Sequence, residues 1–89
     1  MSKPVLMDFR ADWCGPCRIQ DPIIHNLEKK FGDKVEFRKI DVDNDMELTI
    51  KYAIRAVPTL IIEKDGKVVQ QYIGVTYEKE LESALNKLL

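Results

Sequence analysis

A third cysteine is missing from this sequence, and histidine occurs only once. Cys14 and Cys17 are the whole cysteine inventory, so a closed zinc site, which needs four ligands, would have to draw on His25 and carboxylates or on a second chain. An excess of charge of either sign is also absent: 14 basic residues stand against 15 acidic ones, leaving a net charge of -1. That balance offers no electrostatic footprint for nucleic acid or for an anionic membrane surface. No apolar run reaches the length needed to cross a bilayer. No basic n-region with an apolar h-region precedes the first strand-like segment, so a cytoplasmic setting is expected. There, a cysteine pair is more often catalytic or metal-binding than structural. Repeats, low-complexity tracts and linkers are lacking too, and residues 1–89 are expected to form one domain, large enough to bury a core without obligatory staples. A hydrophobic fraction of 45% and a charged fraction of 33% exclude disordered and collagen-like classes.

What is present centres on Trp13-Cys14-Gly15-Pro16-Cys17. Residues at i and i+3 of a helix have Cβ atoms roughly 5–6 Å apart, and a disulfide needs Cα atoms about 4.4–6.8 Å apart. A modest adjustment therefore lets Cys14 and Cys17 bond or separate. The motif falls between an apolar strand-like segment, residues 3–9, and a helical segment, Arg18 to Phe31. Unpaired backbone N–H groups and the macrodipole at a helix start favour negative charge, which lowers a thiol's pKa and makes a thiolate available. Cys14, the outer of the two, is the expected nucleophile. Asp8 interrupts the apolar strand, and the pattern leaves two readings open: a functional buried carboxylate or one solvated at a sheet edge.

Along the chain, Ile19, Ile23, Leu27 and Phe31 at a spacing of four predict the helical stripe that lies on a sheet, with Pro22 inside the helix. Val35 to Asp41 alternates as a strand with one wet face, parallel to the first. Asp43-Asn44-Asp45 offers caps for a short helix from about Met46 to Tyr52. An EF-hand reading of these acids lacks the glycine and the terminal glutamate. Thr59 to Glu63 and Val68 to Ile73 flank an Asp65-Gly66 turn and predict a hairpin. Thr76 is the expected cap of a last helix bearing Leu81, Leu85 and Leu88. The fold class is α/β in the order β-α-β-α-β-β-α, a four-stranded mixed sheet with helices on both faces.

The segment Asp8-Phe9-Arg10-Ala11-Asp12-Trp13-Cys14-Gly15-Pro16-Cys17 resembles the active-site segment of the thioredoxin family. Pro22, Ile54-Arg55-Ala56-Val57-Pro58-Thr59 and Gly74 extend the resemblance in the family's order over nearly the whole chain. The resemblance implies a thioredoxin-like fold in a short form, beginning at the first strand common to the family. It implies a thiol-disulfide oxidoreductase that reduces protein disulfides through Cys14 and Cys17. Asp8 matches the family's buried general base, which acts through water on the second cysteine. Pro58, otherwise an ordinary trans proline at a strand start, matches a cis-proline beside the cysteines that leaves the Val57 backbone open to a substrate strand. Trp13, Gly15, Pro16, Ala56, Val57, Gly74 and Val75 match the apolar docking rim. Without the resemblance, Gly74 reads as a turn residue and Trp13 as a partly buried aromatic.

The same resemblance implies a monomer with no bound cofactor, taking electrons from NADPH or ferredoxin through a thioredoxin reductase and passing them to disulfide-containing target proteins. Gly15-Pro16 between the cysteines differs from the Pro-Tyr usual in glutaredoxins. A glutathione-linked oxidoreductase, a disulfide oxidase or isomerase, and a non-catalytic binding module are the alternatives. Two departures stand out: Arg10 occupies a position usually aromatic, and Phe37 stands where a lysine often lies near the buried aspartate, with Lys39 as its possible replacement.

Overall fold

The computed structural model describes residues 2–89. Strand β1 (Val5–Arg10) carries Leu6 and Asp8 on one face and Met7 and Phe9 on the other, as the two-residue period of a strand requires. All four are buried, so β1 is covered on both sides. It pairs parallel with β2 (Glu36–Asp41) and antiparallel with β3 (Thr59–Lys64), which pairs antiparallel with β4 (Lys67–Ile73). The order β2-β1-β3-β4 makes the expected mixed sheet. Asp65 and Gly66 turn the hairpin with φ of 56° and 79°, the positive values that an Asp-Gly turn supplies most easily.

Leu6, Leu60 and Ile62 face helix α1 (Gly15–Phe31) and helix α3 (Glu78–Asn86), whose Ile24, Leu27, Phe31, Leu81 and Leu85 complete one core. Met7, Phe9, Ile40 and Ile61 form the other, against Leu48 and Tyr52 at the short helix α2 (Met46–Lys51). Burying each such side chain contributes about 1.5–3 kcal/mol. Two cores on opposite faces hold β1 rigidly, and its C-terminal end delivers the chain to the cysteines.

Three expectations need correction. Of the expected stripe on α1, Leu27 and Phe31 are buried and Ile23 packs half-buried against the core, but Ile19 is 54% exposed, and Cys17, Gln20 and Ile24 complete the buried face. A strict spacing of four drifts around a helix of 3.6 residues per turn, whereas alternating steps of three and four stay on one face. Thr76 does not cap α3: the helix starts one residue later, so Tyr77 holds the N-cap position without a side-chain bond, and the Thr76 hydroxyl donates to Gly74 O. The first strand starts at Val5, after Pro4, and runs one residue past Phe9 to Arg10. Helix α1 starts at Gly15, three residues before Arg18, and the other elements fall within a residue or two of expectation. Asp45 caps α2, accepting from Leu48 N at 3.1 Å, as the capping reading of the acidic segment required. Helix α1 continues through Pro22 and stops at Gly32, whose φ of 55° turns the chain away. Among the described residues, no helix is long and apolar enough to cross a membrane.

Candidate active site

Ala11, Asp12 and Trp13 connect β1 to α1, and the Ala11 carbonyl accepts from Cys14 N at 3.2 Å. Cys14 itself is the N-cap of α1, with extended backbone angles, and Pro16 lies in the first turn, where its missing N–H is harmless. Cys14 and Cys17 are joined as a disulfide across Cα atoms 5.3 Å apart. The Cys17 N–H points at Cys14 Sγ from 3.2 Å. When the disulfide opens, that N–H and the helix start favour negative charge on Cys14 Sγ. Cys14 is 3% exposed and Cys17 fully buried, so access to the pair is from the Cys14 side.

Ala11, Cys14 and Cys17 pack together with Val42 and Val57. The Val57–Pro58 peptide is cis, and Val57 O stands 3.5 Å from Cys14 Sγ. Pro58 is buried, and its carbonyl accepts from Gly74 N at 2.8 Å. Thr59 Oγ1 donates to Ala56 O at 2.6 Å, which fixes the loop on the other side of the cis bond.

Asp8 is 1% exposed, and neither of its carboxylate oxygens has a hydrogen-bond partner in the protein. Burial, and next the negative charge of Asp21, push its pKa from 3.8 up to about 6; Arg10 and Lys39 pull in the opposite direction. Lys39 is the β2 neighbour of Asp8 in register, and it is exposed. Arg10 replaces the usual aromatic with charge chemistry: its Nε and Nη2 contact the Asp21 carboxylate at 3.2 and 3.3 Å, and its Nη1 contacts Asp12 at 3.0 Å.

Of the rim residues, Trp13, Ala56 and Val57 line one cleft of about 170 Å³, together with Ile54 and Arg55. Trp13 is 69% exposed and its Nε1 donates to Asp43 Oδ2 at 2.9 Å, which rules out the core-aromatic reading. Gly15 and Pro16 are exposed at the start of α1, while Gly74 and Val75 are half-buried beyond Pro58 and do not line that cleft. Sequence reasoning missed Asp21, Asp43 and Gln20. Asp21 and Gln20 carried one weak signal, polar residues on a helix next to the second cysteine. Among the described residues, no three or more His, Cys, Asp or Glu side chains converge to hold a metal ion.

The protein-family model for Thioredoxin matches residues 1–87. The chain belongs to the thioredoxin family. Thioredoxin from Bacillus subtilis (strain 168) is 42% identical over 85 residues, covering 96% of this chain and 82% of the relative. Mitochondrial thioredoxin from Mus musculus is 42% identical over 86 residues, 97% of this chain and 52% of the relative. The X-ray structure of Fasciola hepatica thioredoxin superposes with a TM-score of 0.88 at 38% identity, over 98% of this chain and 82% of the other. With the thioredoxin fold and a disulfide-forming Cys14–Cys17 pair, the protein is a thioredoxin-type dithiol-disulfide oxidoreductase, a protein-disulfide reductase that needs no bound cofactor.

Proposed function

We propose that residues 1–89 work as one thioredoxin-like domain in which each site residue has a distinct task. Reduced Cys14, as thiolate, attacks one sulfur of a target disulfide, and the other target sulfur leaves as a thiolate. Cys17 then loses its proton and attacks Cys14 Sγ. The Cys14–Cys17 disulfide forms, and the target departs reduced by two electrons. Asp8 receives the Cys17 proton through water. With its pKa raised to about 6, it is ionised at neutral pH and still basic enough to accept a proton. The Cys17 N–H aimed at Cys14 Sγ is the single observation that carries the order of attack, because it favours the thiolate at Cys14.

Trp13, Gly15, Pro16, Ala56, Val57, Gly74 and Val75 form the docking rim, and Pro58 shapes it. An extended target segment pairs with the Val57 backbone beside Cys14, a reading supported by the proximity of Val57 O to the sulfur. A thioredoxin reductase returns two electrons, drawn from NADPH or ferredoxin, to the Cys14–Cys17 disulfide. The protein acts as a monomer. A reductant of this kind requires a reducing compartment, and we assign it to the cytoplasm.

The test is a trap. The reduced Cys17→Ser variant, mixed with insulin as a protein disulfide, should accumulate a covalent adduct on Cys14, visible as the summed mass and released by dithiothreitol. No adduct, or equal adduct with Cys14→Ser, contradicts the order of attack.

A further inference from the structure

Gln20 stands one helical turn beyond Cys17 on α1 and is 0% exposed. A carboxamide so placed is unfavourable unless it is fully paired. Both of its ends go to one residue: Oε1 accepts from Thr76 N at 2.8 Å, and Nε2 donates to Thr76 O at 2.9 Å. Two bonds to the same residue fix orientation as well as position. An apolar side chain would have filled the space between α1 and the sheet, and would have left the Thr76 N–H and C=O without these partners.

The geometry around Thr76 gives this pairing a purpose. Gly74 N donates to Pro58 O at 2.8 Å, and the Thr76 hydroxyl donates to Gly74 O at 3.2 Å. The chain adopts φ of 93° at Gly74, which only glycine takes readily, to make both contacts. Val75 thus lies between two fixed points, one on the residue after Val57 and the other on the helix that carries both cysteines. It is half-buried, while Thr76 behind it is buried.

We propose that Gln20 is a positioning residue for protein substrates: its carboxamide holds the Gly74–Thr76 loop at a set distance from the Cys14–Cys17 pair, so that Val75 meets a docked polypeptide. The proposal rests on the reading of Gly74 and Val75 as part of the docking rim. Gln20 does not touch the sulfurs, so it acts on the concentration at which a protein disulfide saturates the site and not on sulfur exchange itself.

The experiment is single-turnover oxidation of the pre-reduced protein by two disulfides, insulin and the small aromatic disulfide 5,5′-dithiobis(2-nitrobenzoate). Gln20→Met keeps the side-chain length and removes both bonds. Its half-saturating insulin concentration is expected to rise about three- to tenfold, the effect of losing a buried hydrogen-bonded anchor. The maximal rate with insulin and the rate with the small disulfide should stay within about twofold of wild type. Gln20→Asn, which retains the amide but is too short to reach Thr76 in the same pose, should behave alike. An unchanged half-saturation, or an equal loss with both disulfides, overturns the proposal. So does failure of both variants to fold, which would make Gln20 a folding residue. Val75→Asp separates the two levels. If it raises the insulin half-saturation and Gln20→Met does not, only the role of Gln20 falls; if it has no effect, the docking reading falls and takes the Gln20 proposal with it.

Discussion

The melting temperature of an Asp8→Asn variant is expected to gain on wild type by on the order of 10–20 °C as the pH is raised from about 4 to about 8. The Asp8 carboxyl is buried, and its pKa is raised from 3.8 to about 6, by burial first and by Asp21 second. For an acid whose folded pKa is raised, the folded state binds more protons than the unfolded chain between the two values. The stability associated with neutral Asp8 is therefore fully present below about pH 4 and is lost as pH rises through about 6. At about 1.36 kcal/mol per pH unit, the loss is about 3 kcal/mol. Asparagine has no charge to bury, and any cost of its own amide is the same at both pH values, so the change in the gap isolates the carboxylate. Parallel pH curves for the two proteins would show that Asp8 is not ionised at a cost in the folded state. The same substitution bears on its proposed role: release of reduced target from the mixed disulfide should slow by about 10²-fold, the lower range for losing a general base.

Cys14→Ser should abolish reduction of protein disulfides, leaving only the rate of the assay buffer. A hydroxyl at the N-cap still accepts from the helix, so the fold has no reason to fail. A serine hydroxyl, however, is not ionised near neutral pH and cannot form the mixed disulfide. Cys17 does not substitute for it, because it is fully buried one turn inside α1. The variant should melt near the wild type measured under reducing conditions. Retained reduction of insulin by Cys14→Ser would remove Cys14 from the mechanism; retained capture of targets without reduction is what a binding module would give.

Much of this was legible in the chain because it rests on local pattern. The central strand announced itself through Val5-Leu6-Met7, the hairpin through Asp65-Gly66, and the redox centre through two cysteines one helical turn apart at a strand-to-helix junction. The family resemblance added the cis bond before Pro58, for which a single sequence offers no local signal. What escaped depends on pairings between distant residues. Gln20 and Thr76 are 56 positions apart, and Trp13 and Asp43 are 30 apart. Arg10 and Asp21 are 11 positions apart, the one at the end of β1 and the other inside α1, and meet only once strand and helix are in place. The misplaced stripe on α1 has a related cause. Gln20 holds a buried position because Thr76 satisfies it, and a search for apolar spacing passes over a polar residue and settles on the neighbouring Ile19. Thr76 shows the same dependence on distant partners: its backbone N–H and C=O pair with Gln20, and α3 starts one residue later than its hydroxyl suggests, with Tyr77 at the N-cap.

The measurement closest to the central claim is an equilibrium redox titration of the Cys14/Cys17 pair in defined dithiol-disulfide buffers, following the fraction oxidised. A midpoint near about -270 mV, the value characteristic of thioredoxins, is the expected result and gives the dithiol the driving force to reduce target disulfides. A midpoint at or above about -180 mV, where protein disulfide isomerase lies, would make the disulfide too easily reduced for that task and would contradict the reductant account.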